Sequence, residues 1–437
     1  MTAEIAVINK SAVALAADSA VTISDGNGSQ SKVYNGAEKL FALTKYHPVG
    51  IMVYGAGTLC RMPWEVVIKQ YRKKLGSECF ENLELYTEDF LSFVQDDEHL
   101  VTQDLRDSFI REHWHAVIET LWRLTISVGN TKIDETGIQP TKDETYEIIV
   151  DICSKIRSKL EEEQYLEGFT QDDFREVQEE CKDFVDSNSE DLHKAVPEEK
   201  VEELKDNFRE IVALATVKNN DLGPNSGVVF AGYGDKECFP SVLAFNLKGF
   251  WKNKLRYCPL KHKSAPAGKS DLMAYAQDEE VNTFVQGISP RLKEKVDETV
   301  VRIVGQTLEH VKSGLEMTGL SEADRQELEK NIEGLVTNTL ATEVGEFRQF
   351  IEMNFTQQVV NMVEFLPKDE LAYMAESLVN MTAFKRKVTS QSESVGGPID
   401  VAIISKGDGF VWIKRKHYFD KELNNHYFDN FLRKEKV

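Results

Sequence analysis

Several features that would assign this chain to a common class are missing from its sequence. The six cysteines include no CxxC pair, so their spacing indicates neither a zinc site nor a disulfide framework. No apolar run approaches the roughly 18 residues that a membrane-spanning helix needs. The chain also does not begin with a basic segment followed by an apolar one, as a signal peptide would. We therefore expect a cytoplasmic protein without a membrane span.

An excess of positive charge is also missing. The sequence has 52 Lys and Arg residues against 73 Asp and Glu residues, a formal net charge of −21. A strongly acidic chain is repelled by phosphate backbones and anionic lipid surfaces, so we expect neither nucleic acid nor a membrane as a partner. At 437 residues the chain is long enough for one domain with insertions or for two domains.

Among the features that are present, Thr2 directly follows the initiator methionine. If Met1 is removed, a hydroxyl group and a free α-amine lie on the same residue. An α-amine titrates at a pKa of about 8, so it can act as a base near neutral pH. Threonine at this position is also common in chains that use no such chemistry. On this observation alone, a non-catalytic Thr2 stays open as the alternative.

The residues after Thr2 predict a β-hairpin. Residues 3–8 and 12–17 are short apolar segments joined by Asn9-Lys10-Ser11, which is typical of a turn. Their many alanines favour strands that are buried on both faces. Because a hairpin returns its second strand alongside its first, we expect Asp18 to end close to Thr2. The alternative is that Asp18 only begins a turn, as aspartate often does.

A lysine stands at the start of the next predicted strand. Lys39 precedes the apolar residues 40–43, and a buried lysine there could lower the pKa of the Thr2 hydroxyl and pair with Asp18. Taken alone, Lys39 is better explained as a surface residue.

A glycine turn follows a further predicted strand. Residues 50–54 are apolar, Gly55-Ala56-Gly57-Thr58 form the turn, and residues 64–75 carry apolar side chains at helical spacing. Backbone N–H groups exposed at such a turn suit an oxyanion. Small residues between a strand and a helix also serve ordinary packing.

The order of these features resembles proteasome β-subunits and the bacterial HslV peptidase, which are N-terminal-nucleophile hydrolases. The spacing from Thr2 to Asp18 matches that family, and Ala16-Ala17-Asp18-Ser19 is similar to its corresponding segment. Lys39 falls at the family's catalytic lysine once a few extra residues in the Gly/Ser loop 25–31 are allowed. Gly55 matches the oxyanion-hole glycine. Two later segments, residues 226–245 and 395–413, resemble the family's second-sheet hairpin and its closing strands.

The resemblance implies an α+β fold with four layers, αββα, in which two antiparallel sheets stack between helices. It implies a single domain with enlarged helical insertions. The core blocks are 2–76, 226–258 and 367–416, and the insertions cover about 80–220 and 266–366. Apolar residues at helical spacing with charged residues between them are typical of amphipathic helices, and both insertions show this pattern.

The resemblance further implies a threonine peptidase that needs no metal or organic cofactor. Thr2 is the nucleophile, Lys39 lowers the pKa of its hydroxyl, Asp18 holds Lys39, and the Gly55 N–H stabilises the oxyanion. The substrate is a peptide or an unfolded protein, the assembly is a homo-oligomer, and an ATP-dependent unfoldase is a candidate partner. The residues expected to line the substrate pocket are Val21, Thr22, Val53 and Gly57.

One segment departs from the family pattern. Residues 386–397 contain no aspartate at the family's acidic position, and Val395 replaces a serine, so Glu393 or Ser394 would have to substitute. Two alternatives therefore stay open, a non-catalytic scaffold or ring subunit and an amidase acting on a small molecule. The pair His113 and His115 is predicted to lie on an ordinary helix surface, because residues two apart do not share a helical face.

Overall fold

The computed structural model describes residues 3–24, 31–316, 320–389 and 395–432. It is a mixed structure of helices and antiparallel sheets. The chain divides into two compact units. The first contains residues 1–37, 267–403 and 411–437, and the second contains residues 38–266 and 404–410. The single-domain organisation stays a prediction.

The described strands, in chain order, are β1 (Ala3–Ile8), β2 (Val13–Ala17), β3 (Val21–Ser24), β4 (Ser31–Tyr34), β5 (Leu40–Ala42), β6 (Val49–Gly55), β7 (Thr58–Leu59), β8 (Met62–Pro63), β9 (Ser226–Gly232), β10 (Ser241–Trp251), β11 (Lys254–Pro259), β12 (Asp271–Ala276), β13 (Asp400–Ser405) and β14 (Gly409–Lys414). The described helices are α1 (Trp64–Leu75), α2 (Leu83–Asp96), α3 (Gln103–Thr136), α4 (Lys142–Glu162), α5 (Gln171–Glu180), α6 (Lys182–Ser187), α7 (Leu192–Ala195), α8 (Val201–Val217), α9 (Glu279–Gln286), α10 (Pro290–Glu316), α11 (Glu322–Ile351), α12 (Gln357–Val363), α13 (Lys368–Val388) and α14 (Asn425–Leu432). Short 3-10 turns cover Glu198–Lys200 and Lys261–Lys263, and a π-helical turn covers Glu352–Thr356.

The first unit is built on a five-stranded sheet in the order β12-β1-β2-β13-β14. The predicted hairpin of β1 and β2 is present, with Glu4 opposite Ala17. Helix α13 packs on β1 and β2, where small side chains such as Ala14 and Ala375 leave room for a close approach. The buried core of this unit therefore lies between the N-terminal hairpin and α13.

The other neighbour of β1 differs from the sequence prediction. Residues 266–366 were expected to be helical, but Asp271–Ala276 form β12, which pairs with β1 so that Ala3 lies opposite Ala276. The prediction was wrong here because a six-residue apolar segment does not distinguish a strand from part of a helix by periodicity. The pairing with a distant strand decides its structure.

The second unit is built on a five-stranded antiparallel sheet in the order β11-β10-β9-β6-β5. The predicted hairpin of β9 and β10 is present, and β9 also pairs with β6. Helices α1 and α2 and the start of α3 cover this sheet through one apolar cluster. Helices α3 to α8 bury a second apolar cluster of their own. The helical character predicted for residues 80–220 is confirmed.

None of the helices in the described parts of the chain combines the length and apolarity needed to cross a lipid bilayer.

Candidate functional site

Asp18 lies directly after β2, in the first unit, and its side chain is completely buried. Its Oδ1 accepts a hydrogen bond from the Ala3 N–H at 3.1 Å. Its Oδ2 accepts the N–H groups of Ala20 at 3.2 Å and Gly396 at 2.9 Å. The amide nitrogen of Ala3 is the one bonded to the carbonyl carbon of Thr2. The hairpin thus brings a buried carboxylate to the start of β1, while Thr2 itself lies outside the described residues.

The segment at residues 395–398 docks against the end of the same hairpin. The N–H of Gly396 donates to Asp18, and the carbonyl of Gly396 accepts the N–H of Ser19 at 3.2 Å. The Ser19 hydroxyl donates to the carbonyl of Pro398. Val395, at the position where the resemblance predicts a serine, is buried in the apolar core of this unit. Glu393 and Ser394, expected as substitutes for the missing acidic residue, lie outside the described residues.

Lys39 lies in the second unit, immediately before β5. Its carbonyl accepts the N–H of Val53 at 2.8 Å, and its side chain is only 6% exposed. The alternative of an ordinary surface lysine is therefore wrong. Removing an ammonium group from water is unfavourable unless a partner compensates it, so burial sets this lysine apart from most others in the chain.

Gly55 ends β6 in the second unit, at a backbone φ of 79°. This left-handed conformation favours glycine, and a Cβ at this position would lie 3.0 Å from the carbonyl oxygen of Asn225. The same oxygen accepts the N–H of Ala56 at 3.1 Å, and the Ser226 hydroxyl donates to the Ala56 carbonyl at 3.1 Å. The start of β9 thus holds the glycine turn in place, and Gly55 is exposed.

The four residues predicted to line the substrate pocket divide between the two units. Val21 and Thr22 are half-buried on β3 in the first unit. In the second unit, Val53 packs into the apolar core of the sheet and is 4% exposed, whereas Gly57 is exposed with open space around its Cα. The pocket stays a prediction.

Sequence reasoning did not single out Glu4. Its side chain is completely buried on β1, opposite Ala17 on one side and Tyr275 on the other. One signal was available in the sequence, because Glu4 is the only charged residue within the apolar run 3–8.

The prediction for the histidine pair was partly wrong. His115 is exposed, as expected, but His113 is completely buried and accepts a hydrogen bond from Arg256. The local sequence gave no sign of this, because Arg256 lies on β11. Within the described ranges, no three His, Cys, Asp or Glu side chains converge as a metal-binding group.

Comparisons with protein-family models and with curated proteins found no match to this chain. Among solved structures, the chain is similar to the Anbu (Gly-1) mutant from Hyphomicrobium sp. strain MC1. The two are 9% identical, the alignment covers 100% of both chains, and the TM-score is 0.26. This similarity is too low to establish a shared fold.

Proposed function

We propose that the chain is a threonine-type amide hydrolase of the proteasome-like kind, with Thr2 as its nucleophile. The observation that carries this proposal is the hydrogen bond from the Ala3 N–H to the buried carboxylate of Asp18. It puts a carboxylate beside the peptide unit that joins Thr2 to Ala3. The burial of Lys39 supports the proposal independently, because the chemistry requires a cation that is withdrawn from solvent.

In the first step, Thr2 acts after Met1 has been removed. Its α-amine takes the hydroxyl proton, and Oγ1 attacks the carbonyl carbon of the substrate amide. Lys39 lowers the pKa of that hydroxyl, and Asp18 orients Lys39. The N–H of Gly55 donates to the oxyanion of the tetrahedral intermediate.

In the second step, the intermediate collapses to an ester between the substrate acyl group and Thr2. The departing amine carries away the proton that the α-amine had accepted. Water then attacks the ester, and the α-amine accepts one of its protons. The α-amine passes this proton to Oγ1 as the carbon–Oγ1 bond breaks, so that the acid product departs and Thr2 regains its free hydroxyl. The groups named here supply each proton transfer, so the scheme calls for neither a metal nor an organic cofactor.

The proposal extends to the fold and the assembly. The two sheets would stack as the inner layers of an αββα sandwich, and copies of the chain would form a closed ring or open spiral around the Thr2 sites. Such enclosure protects cytoplasmic proteins from a peptidase, and an ATP-dependent unfoldase would deliver peptide substrates to it. Closed homo-oligomers are the commonest assemblies of soluble chains.

One observation favours a second candidate, a non-catalytic scaffold of the same fold. The Asp18 carboxylate accepts three backbone N–H groups, which is a sufficient structural reason for its burial without any catalytic role. The absence of aspartate from residues 386–397 points in the same direction.

The test compares Thr2→Ala with Thr2→Ser, using fluorogenic peptides and intact-mass measurement. The threonine peptidase requires loss of Met1, abolition of hydrolysis in Thr2→Ala and measurable hydrolysis in Thr2→Ser, because serine keeps the hydroxyl. Complete retention of Met1 in protein from the native host would overturn the peptidase and favour the scaffold, since an acylated α-nitrogen is not a base.

A further inference from the structure

A cavity of about 480 Å³ lies within the second unit, between helix α2, the edge strand β11 and its neighbour β10. A cavity of this volume is typical of a site for a small molecule. Its floor is apolar and is formed by Leu243, Phe245, Tyr257 and Pro259. The cavity therefore offers an apolar ligand group a surface on which to pack.

Two aromatic rings of this floor have a fixed arrangement. The rings of Phe245 and Tyr257 are half-buried, and their centroids lie 6.3 Å apart. Phe245 also packs edge-on against the completely buried ring of Phe230, with the two centroids 6.0 Å apart. Because the faces of aromatic rings attract cations, the floor favours a positively charged ligand over a negatively charged one.

The walls of the cavity carry more negative than positive charge. Glu84 and Glu88 come from α2, and Glu167 comes from the loop between α4 and α5. Lys261 is the one cation among the described lining residues. Glu84 and Glu88 lie four residues apart on the same side of the helix, where two carboxylates repel each other. None of the three glutamate side chains forms a hydrogen bond or an ion pair within the described part of the chain.

The negative charge of the walls extends to the floor. The N–H of Glu167 donates to the carbonyl of Tyr257 at 3.4 Å, which ties the loop to β11. Burial raises the pKa of Tyr257, and the charges of Glu167 and Glu88 raise it further. A negatively charged ligand group beside the tyrosine hydroxyl would meet the same repulsion, whereas a positively charged group would be attracted.

We propose that this cavity binds a small protonated amine with an apolar body, such as an arylalkylamine. The apolar body packs on Leu243 and the two aromatic rings, and the ammonium group lies among the three carboxylates. A neutral ligand leaves the repulsion between the carboxylates in place, and an anion increases it. In the described ranges these carboxylates do not converge as a metal-binding group, so a metal ion does not fit the site either.

This site is separate from the groups of the proposed hydrolase. Asp18, Lys39 and Gly55 do not line the cavity. The inference therefore does not depend on peptidase activity, and binding can be measured in protein that has none.

Three probes that share a phenyl ring and a two-carbon chain test the charge preference. Phenethylamine is a cation, phenethyl alcohol is neutral and 3-phenylpropanoate is an anion. In calorimetric titrations of the full chain at low ionic strength, the amine should bind about tenfold more tightly than the alcohol, and the anion should bind most weakly. Equal affinities for the amine and the alcohol would overturn the proposal, as would the absence of amine binding.

Substitutions test whether the amine binds in this cavity. Glu88→Gln keeps the shape of an exposed side chain and removes one charge, so the affinity for phenethylamine should fall about fivefold while that for phenethyl alcohol stays the same. Glu167→Gln makes the same change at another wall and should have the same effect. The matched control is Glu135→Gln, at an exposed glutamate outside the cavity, which should leave both affinities unchanged.

The control separates binding in the cavity from a general attraction to an acidic chain. A loss of amine affinity in Glu88→Gln or Glu167→Gln that Glu135→Gln does not show supports the site. An equal loss in all three variants would overturn it, because the amine would then respond only to the net charge. Unchanged amine affinity in both cavity variants would overturn it as well.

Discussion

The carboxylate of Asp18 accepts the N–H of Gly396 over 2.9 Å, which ties the first hairpin to a segment 378 residues later in the chain. This bond and those from the N–H groups of Ala3 and Ala20 make Asp18 a structural residue of the first unit, independently of any role in catalysis.

We therefore expect Asp18→Ala to lower the free energy of unfolding by about 2–4 kcal/mol, because buried N–H groups lose their acceptor. Asp18→Asn keeps one side-chain oxygen and should cost less. Urea unfolding measures both, with Asp151→Ala as the control at a solvent-exposed carboxylate. An Asp18→Ala chain as stable as the control would contradict the burial and hydrogen bonding described for this carboxylate.

Lys248 should make stability depend on pH in a definite direction. Its pKa is lowered by burial from 10.5 to about 8. Between these values the unfolded chain holds a proton that the folded chain does not, so this group increases the free energy of unfolding as pH rises. Its full cost, on the order of 3 kcal/mol, applies below pH 8.

The comparison of Lys248→Met with the unmodified chain isolates this effect. The methionine variant should be the more stable at pH 7, and the difference should shrink by pH 10. Buried thiols of raised pKa act in the opposite direction over this range, but they are present in both proteins. A difference in unfolding free energy that is the same at pH 7 and pH 10 would rule out the titration of Lys248 in this range.

The cysteines should separate into two reactivity classes. Cys79 and Cys238 are exposed, whereas the other four are buried. Burial raises the pKa of Cys60, Cys153 and Cys181 to about 12, and it also raises the pKa of Cys258, so few thiolates form there. We expect a thiol reagent at pH 8 to titrate two groups rapidly in the native chain and six after denaturation. Rapid reaction of a third thiol would show that one of the buried sites is accessible.

Gly57 tests the predicted substrate pocket, and this test rests on the proposed peptidase. Space around Gly57 is open, so Gly57→Ala should fold normally. If Gly57 forms the floor of the pocket, the added methyl should raise KM for cleavage after Leu, Tyr or Phe more than for cleavage after Ala. Gly36→Ala, also in open space, is the matched control. Equal KM changes for large and small residues would show that Gly57 does not form the floor of the pocket. A preference of the unmodified chain for cleavage after acidic or basic residues would contradict the predicted apolar lining of the pocket.

Local patterns predicted the parts of the fold whose partners lie nearby in sequence. The spacing of apolar residues was sufficient to predict the strands of the alanine-rich hairpin and of the β9–β10 hairpin. It was also sufficient to predict helix α1. The strand β12 could not be predicted in this way, because only its pairing with β1 distinguishes it from a helical segment.

The candidate site shows the same limit. The position of Asp18 followed from hairpin geometry, since β2 returns alongside β1. The burial of Lys39, Glu4 and His113 did not follow, because burial depends on elements that are distant in the chain. A charged residue inside an apolar run, as at Glu4, was the one local signal of a buried ionisable group.

The pairing of β1 with β12 also determines when the first sheet can be completed during synthesis. Ala3 leaves the ribosome early, but its partner Ala276 follows only after most of the second unit has been made. At about 5–20 residues per second, this interval lasts roughly 15–50 s. Throughout it one edge of the apolar strand β1 has no native neighbour, and such edges favour aggregation. The nascent chain is therefore expected to depend on a chaperone that shields its N-terminal hairpin until residue 276 emerges.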